Sequence, residues 1–251
     1  MAELGKLREM QRLSGKAQTL GLSEAVITKF IQKDPRLQET INNAYLIFQH
    51  YFSRSDLKPL LMRSESELIT SLQDGLVNFY DSDSVNPYVP LAGLGPWLVT
   101  SHGAVLHDSG GYGMLGFGQN NLSLCRALDN KQVIANVMTA SFSQKEILSA
   151  LKSEIGQTNN SKMAPYEFLF LNSGSEGLTL ASRLSDLNAH IQTKPGGLHA
   201  GKPCMFISLK GSFHGRTDRP AQVSDSCQKV YKSSLKSYQN RDNLITVTPN
   251  D

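Results

Sequence analysis

Two short motifs carry the residue types in this sequence that are best suited to hold a ligand. The first is Asn172-Ser-Gly-Ser-Glu-Gly177, which follows an apolar run at residues 166–171 and precedes a helical pattern. A strand, a tight turn and a helix N-terminus are expected here, and the free N–H groups of such an N-terminus bind anions. Gly174 lets the backbone approach a ligand closely, and Ser173 and Ser175 add hydroxyl donors. We interpret the motif as a phosphate-binding turn, with an ordinary Ser-capped turn as an equal alternative.

The second motif is Gly211-Ser-Phe-His-Gly-Arg-Thr217, which follows a predicted strand at residues 204–209. Ligands of open α/β sheets bind at the carboxyl ends of strands, so the two motifs are expected to converge at such an edge. Phe213 offers a flat ring for stacking on a ligand, and His214 or Arg216 offers a group that addresses an anion. The alternative interpretation is a surface turn with an incidentally buried Phe.

The two motifs together resemble those of class III aminotransferases, which are commonly marked by Asn-Ser-Gly-Ser-Glu-Ala and by Phe/Tyr-His-Gly-Arg-Thr. The similarity runs from about Pro90 to the end of the chain. It implies an α/β fold, that of the PLP-dependent transferases (aspartate aminotransferase-like, fold type I). It also implies pyridoxal 5′-phosphate as the cofactor, transfer of an amino group from an amino donor to a 2-oxo acid, and assembly as a homodimer. Mutases, decarboxylases and epimerases share these motifs and are alternatives for the reaction type.

The resemblance also assigns roles to individual residues. By the family pattern, Gly174 and Ser175, with Ser173 before them, would hold the cofactor phosphate. Phe213 would stack on the pyridine ring, and His214 would lie beside that ring. Gly177 departs from the pattern, since Ala is usual there; it weakens the first helical turn by up to ~1 kcal/mol unless close packing against a cofactor offsets the loss.

Two groups that the family's chemistry requires have no counterpart here. The resemblance implies a Schiff-base lysine and a carboxylate on the pyridine nitrogen, both located after the second motif. The polar stretch that holds Lys229, Lys232 and Lys236 does not resemble the family's lysine strand. We therefore predict no catalytic residue within the 251 residues, and a chain truncated before the lysine. The isolated chain is not expected to be competent, and a non-catalytic fragment or degenerate paralogue is the alternative.

Two further enzyme classes match parts of the sequence. Ser173-Gly-Ser-Glu-Gly177 approaches the nucleophile elbow of serine hydrolases, with Ser175 as nucleophile followed by Asp186 and His214, although the first glycine of that motif is absent. The spacing Gly111-x-Gly113-x-x-Gly116 formally matches a dinucleotide-binding fingerprint. No helix is predicted directly after it and no acidic residue ends a second strand about 20 residues on, which argues against a nucleotide site.

The elements that must position these motifs fall into three predicted segments. Residues 1–86 are predicted to form a helical N-terminal extension. Residues 87–156 hold a strand at Trp97–Thr100, another at 104–107, a Gly-rich segment and a helix capped by Ser143. Residues 157–251 alternate strand and helix as the first part of a PLP-binding large domain with a mainly parallel sheet. The apolar stripes of the first segment are Val26, Ile27, Phe30 and Ile31, then Leu37, Ile41, Ala44, Tyr45, Phe48 and Phe52, and its capping box is Ser64 to Glu67.

Composition limits the remaining classes of function. The net charge is +3 and 19% of the residues are charged. The sequence has no dense basic stripe of the kind that nucleic-acid-binding proteins carry. The three cysteines have no Cys-x-x-Cys spacing, so neither a disulfide framework nor a metal site is expected. No apolar run approaches the ~18 residues of a membrane span, and the N-terminus has no signal-peptide pattern. We therefore expect a cytoplasmic protein, and the resemblance implies small-molecule substrates and a second copy of the chain as its partners.

Overall fold

The computed structural model of the chain describes residues 2–77, 85–109, 116–128, 138–156, 167–239 and 242–250. The chain divides into two compact units, Met1–Val133 and Ile134–Asp251. The first unit contains α1 (Ala2–Leu13), α2 (Glu24–Ile31), α3 (Pro35–Ser53), α4 (Lys58–Leu61), α5 (Glu65–Leu72), β1 (Pro90–Leu94), β2 (Trp97–Thr100), β3 (Val105–His107) and α6 (Leu122–Leu128). The second contains α7 (Phe142–Gly156), α8 (Gly174–Thr193), β4 (Phe206–Leu209), α9 (Asp218–Val223), α10 (Asp225–Ser234), a 3₁₀ turn (Lys236–Tyr238) and β5 (Leu244–Val247).

The core of the first unit forms around α3. Its predicted apolar stripe is confirmed, because Leu37, Ile41, Ala44 and Phe48 are all buried. These positions recur at helical spacing and face one side of the helix. That side packs against β1 and β2 of an antiparallel sheet with the order β1-β2-β3. The predicted strand at 97–100 is therefore confirmed, the one predicted at 104–107 begins one residue later, and β1 was not predicted.

Asp34 joins the start of α3 to this sheet. Its carboxylate accepts a hydrogen bond from the backbone N–H of Arg36 (3.1 Å), as an N-cap, and another from Trp97 Nε1 (2.8 Å). The Arg36 guanidinium forms a two-pronged ion pair with the same carboxylate. The Arg36 guanidinium and then the Trp97 indole hydrogen-bond the charged form, which holds the pKa of Asp34 well below its ordinary value.

Helix starts were predicted with mixed success. The capping box of α5 is confirmed, since Ser64 N–H donates to Glu67 Oε2 (3.0 Å) and Glu67 N–H to Ser64 Oγ (3.4 Å). The predicted cap of α7 at Ser143 is wrong. Ser141 makes the reciprocal bonds with Gln144 instead, at 3.0 and 3.2 Å. Ser141 to Gln144 matches the same Ser-x-x-Glu/Gln pattern two residues earlier, and the helix extends back to it.

The second unit holds a two-stranded parallel sheet. Strand β4 pairs with β5 in register from Phe206 with Leu244 to Leu209 with Val247, which confirms the predicted parallel pairing, although β4 begins two residues later than predicted. Helix α8, predicted for residues 175 to about 189, runs one residue earlier and four residues further.

The strand predicted at residues 166–171 is not present in the described part of that run, residues 167–171; Tyr166 lies outside the described residues. A strand forms only where a neighbour accepts its backbone hydrogen bonds. Among the described residues of this unit, the only pairing is between β4 and β5. Leu169, Phe170 and Leu171 are consequently exposed, and Leu169 retains 68% of its accessible surface.

Two predictions on organisation concern the whole chain. The division into segments 1–86, 87–156 and 157–251 stays a prediction, although α1, α2, α3 and the strands of the second segment share one apolar core. Within the described ranges, no helix combines the length and the apolar character that crossing a bilayer requires.

Candidate functional site

The first motif forms the N-terminus of α8. Ser173 is the N-cap, with extended backbone (φ −151°, ψ 158°), and its Oγ accepts a hydrogen bond from Glu176 N–H (3.2 Å). The Glu176 carboxylate accepts one from Asn172 N–H (2.7 Å), so its charge is engaged by the residue before the cap. The N–H groups of Gly174 and Ser175 belong to the first turn, whose donors have no partner within the helix. Ser173 can serve both as the helix N-cap and as a donor to a phosphate, because its Oγ accepts the capping hydrogen bond while its hydroxyl hydrogen remains a donor.

Gly174 leaves the end of this helix open. A Cβ built on Gly174 would meet no atom of the described residues within 4 Å. The side chains of Ser173 and Glu176 are exposed and that of Ser175 is half-buried. A small anion therefore has access to the N–H groups and to the positive end of the helix dipole.

The second motif is a turn between β4 and α9 that is held by its own backbone. Gly211 has φ +76°, and its N–H donates to Asp225 Oδ2 (2.7 Å). His214 N–H donates to the buried hydroxyl of Ser224 (2.8 Å), and this hydroxyl in turn donates to the Pro220 carbonyl (3.0 Å). Gly215 is buried, with φ +116°, a conformation that L side chains rarely adopt.

The two motifs meet at Gly215. A Cβ built on this glycine would overlap Ser175 Oγ and would lie 3.1 Å from Ser175 Cβ and 3.2 Å from Pro220 Cβ. Backbone of the second motif thus lies directly against the half-buried serine of the first. Phe213 and His214 come one and two residues before this contact, in the same turn, and Phe213 exposes 59% of its surface. The two motifs therefore lie in contact as predicted, but the first follows no strand in its described part, so the predicted convergence of two strand ends is not observed.

No family model and no curated protein matches the chain. Solved structures do match it, and one is the ornithine aminotransferase from Toxoplasma gondii ME49, with a TM-score of 0.52 and 16% identity over 74% of this chain and 41% of that chain. A second T. gondii ornithine aminotransferase structure, described as partly occupied by PLP at its active site, gives a TM-score of 0.53 and 16% identity over 74% and 40%.

A third similar structure is an S-selective transaminase from Bacillus megaterium, with a TM-score of 0.51 and 15% identity over 73% of this chain and 39% of that chain. The fold is that of a PLP-dependent aminotransferase. At this level of identity the likeness concerns the fold alone. The chain spans about two-fifths of the length of the aminotransferase structures that it matches.

An ion pair joins α8, which begins in the first motif, to α9, which follows the second motif. Arg219 of α9 forms an ion pair with Asp186 of α8. Both side chains are partly exposed, so the pair contributes modestly to stability. The pair lies on the same two helices that bring Gly215 to Ser175, so it adds a small polar contact to that packing.

The geometry does not support a serine hydrolase. A catalytic triad requires the nucleophile, the histidine and the acid to be hydrogen-bonded in sequence. Asp186 instead pairs with Arg219, and the described partner of His214 Nε2 is Ser208 Oγ at 3.4 Å. Ser175 Oγ lies against the backbone of Gly215.

The Gly-rich segment of the first unit is described only in part. Gly111 and Gly113 of the dinucleotide-like spacing lie outside the described residues. Gly118 has φ +76°, and its backbone lies against that of Gly95. The next residue, Gln119, pairs with Gly95 through two backbone hydrogen bonds of 2.8 and 2.9 Å. Helix α6 begins only at Leu122. The described part of the chain also brings together no group of three or more His, Cys, Asp or Glu side chains that would hold a metal ion.

Sequence reasoning missed the residues that support the second motif. Ser208, Ser224 and Asp225 each bond to its turn. One signal was available for Ser208, which lies inside a strand whose carboxyl end leads into the motif. Ser224 lies between α9 and α10, and Asp225 is the first residue of α10; polar residues are ordinary at both positions, and no sequence pattern distinguishes these two.

Proposed function

We propose that this chain holds the phosphate and the ring of pyridoxal 5′-phosphate as part of a class III aminotransferase, which transfers an amino group from an amino donor to a 2-oxo acid. The observation that carries the proposal is the contact between Ser175 and Gly215, which unites the two motifs. The shared fold with aminotransferase structures supports it. The motifs make the proposal more specific than the fold does.

The residues present fit this cofactor. The N–H groups of Gly174 and Ser175, the Ser173 hydroxyl and the positive end of α8 suit a phosphate dianion. The exposed ring of Phe213 is suited to stacking on the flat pyridine ring, and His214 is suited to hydrogen bonding beside it. When bound, pyridoxal phosphate supplies the electron sink for exchange of the amino group. The residues of this chain would bind and orient it.

The groups that react with the cofactor are proposed to lie elsewhere. We place the Schiff-base lysine and the carboxylate for the pyridine nitrogen outside these 251 residues, because Lys229, Lys232 and Lys236, which follow the second motif, lie in α10 and the 3₁₀ turn rather than on a strand. A homodimer and a cytoplasmic location are part of the same proposal; the three cysteines Cys125, Cys204 and Cys227 are unpaired, as suits a reducing compartment. The chain alone is then expected to bind pyridoxal phosphate without turnover.

The test uses two variants that place the same charge at different points of α8. Gly174→Asp adds a carboxylate at the open N-terminus and should weaken pyridoxal phosphate binding at least tenfold through like-charge repulsion. Ser185→Asp adds it to an exposed position about 16 Å further along the helix, beyond the range of unscreened repulsion, and should leave binding unchanged.

Binding is measured by fluorescence titration or calorimetry with the 251-residue chain. Failure of the unaltered chain to bind pyridoxal phosphate, or equal loss in both variants, would contradict the proposal. Reduction with borohydride followed by peptide mass spectrometry provides the second readout. A pyridoxyl adduct on Lys229, Lys232 or Lys236 that supports turnover would overturn the assignment of the reactive lysine to another part of the protein.

A further inference from the structure

We infer that Ser208 is a positioning residue that fixes both the orientation and the tautomer of the His214 imidazole. Ser208 lies in β4, next to the strand's last residue, and exposes 6% of its surface. Its Oγ is 2.7 Å from the Val223 carbonyl oxygen, 2.7 Å from Ser212 Oγ and 3.4 Å from His214 Nε2. A buried hydroxyl therefore lies at the back of the motif's imidazole.

The direction of each hydrogen bond at the Ser208 hydroxyl follows from its single hydrogen and its two lone pairs. The Val223 carbonyl can only accept, so the one hydroxyl hydrogen of Ser208 goes to it. The oxygen of Ser208 is left with its two lone pairs, which accept from the Ser212 hydroxyl and from His214 Nε2. The neutral imidazole of His214 therefore carries its hydrogen on Nε2, and Nδ1 is the acceptor nitrogen.

The rest of the turn is already fixed without Ser208. Gly211 N–H is held by Asp225, and His214 N–H by Ser224, so the backbone on both sides of Phe213 is anchored. The His214 ring is exposed, and among the described residues only Ser208 hydrogen-bonds it. Ser208 is thus the one described group that selects the ring's orientation.

The orientation of the His214 ring determines which ligand groups it recognises. With Nε2–H directed to Ser208, Nδ1 accepts a hydrogen bond from a ligand donor such as a hydroxyl or an ammonium group. This step rests on the proposed function, since the ligand is taken to be pyridoxal phosphate or the amino substrate beside it. The relation between Ser208 and His214 itself does not depend on that ligand.

The experiment examines the His214 ring in the chain labelled with ¹⁵N and ¹³C, at a pH about two units above the ordinary histidine pKa of about 6.5. Two-bond ¹H–¹⁵N spectra identify the protonated nitrogen, and three-bond couplings report the χ1 rotamer. The unaltered chain should show Nε2–H and one rotamer. Ser208→Ala should give rotamer averaging and a measurable Nδ1–H population, Ser208→Thr should restore the original spectrum, and Ser226→Ala, at an exposed serine of α10, should change nothing.

An unchanged ring in Ser208→Ala would overturn the inference. If that variant does not fold, the unaltered chain still decides, because a proton on Nδ1 or an averaged rotamer there contradicts it. Ser208→Ala should also raise the Kd for pyridoxal phosphate about fivefold, as for one lost hydrogen bond, without altering the Kd for inorganic phosphate. Absence of any cofactor binding would contradict the proposed function while leaving the ring measurement decisive for Ser208.

Discussion

The two units of this chain are stabilised in different ways. In the first, α3 buries a continuous apolar stripe against α1 and an antiparallel sheet, and Phe48 retains 1% of its accessible surface. In the second, the twenty-residue helix α8 has no buried residue, and Leu187 on its surface is 58% exposed. The candidate site belongs to the second unit, so its geometry depends on backbone turns and polar contacts more than on a large core.

Because the two units are stabilised differently, apolar truncations and turn substitutions should each destabilise a different unit. Apolar truncation is expected to damage the first unit, because burial supplies most of its stability. Turn substitutions are expected to damage the second, because Gly215, Ser224 and the Asp186–Arg219 pair hold its two motifs together. Trp97, the single tryptophan, lies in the core of the first unit and reports on that unit by fluorescence.

Truncation of the α3 core should give the largest effect. Phe48→Ala is expected to lower the free energy of unfolding of the first unit by about 4 kcal/mol, because it leaves a cavity in a buried stripe. Leu187→Ala, on the exposed face of α8, should cost less than about 0.5 kcal/mol. Urea denaturation followed by Trp97 fluorescence measures the first, and amide hydrogen exchange of α8 the second. Similar losses in both units would contradict the contrast drawn between them.

Acid should destabilise the first unit through Asp34. Its folded-state pKa is lowered by Arg36 and Trp97, so the stabilisation is present above the ordinary pKa of about 3.9 and is lost as the pH falls below it. Asp34→Asn should cost about 1 to 2 kcal/mol at pH 7, a value reduced by the half-exposed Arg36 partner. The difference between the two proteins should shrink progressively as the pH falls below about 4, and it should vanish only below the lowered folded-state pKa of Asp34. A difference that stays constant from pH 7 to pH 2 would exclude this role.

The junction between the two motifs should be sensitive to one methyl group. Gly215→Ala places a Cβ against Ser175 Oγ at a positive φ, and should cost about 2 kcal/mol in the opening free energy of α10 amides, measured by hydrogen exchange. In a Ser175→Gly background the clash is removed and about 1 kcal/mol of strain should remain. Equal costs in the two backgrounds would show that Ser175 and Gly215 do not meet.

Gly177 should give the smallest effect and the opposite sign. A Cβ built there meets no atom of the described residues within 4 Å, so cofactor-free packing does not require glycine. Gly177→Ala should therefore stabilise α8 by about 0.5 to 1 kcal/mol, seen as slower amide exchange. Ala181→Gly, at an exposed position one turn on, is the matched control and should have the reverse effect of similar size. Unchanged or faster exchange in Gly177→Ala would indicate a contact at that site.

The sequence predicted elements whose determinants are local. The stripe on α3, the capping box at Ser64 and the helix after Ser173 depend on spacing within one turn or a few turns, and all three are present. The strand expected at residues 166–171 is absent from its described part because a strand depends on a neighbour that the pattern does not specify. β1 was missed for the related reason that its Gly and Pro residues hide the alternation.

In the candidate site, the residues inside the two motifs were predictable and the contacts that support them were not. Gly174, Ser175, Phe213 and His214 carry motif information, and the predicted meeting of the two motifs is observed at Gly215. The supporting contacts were not predictable, since Asp186 with Arg219 and Ser208 with His214 join side chains whose spacing in sequence carries no periodic signal. Tertiary pairing of this kind follows from the fold rather than from any local pattern.

The central claim is that both motifs bind the same cofactor, and amide chemical shifts test it most directly. Titration of the ¹⁵N-labelled chain with pyridoxal phosphate should shift the amides of Gly174, Ser175, His214 and Gly215 along curves with one common Kd. Pyridoxal without the phosphate should leave the Gly174 and Ser175 amides unmoved at the same concentrations. Shifts confined to one motif, two unrelated Kd values, or equal responses to the two compounds would contradict a shared phosphate-binding site.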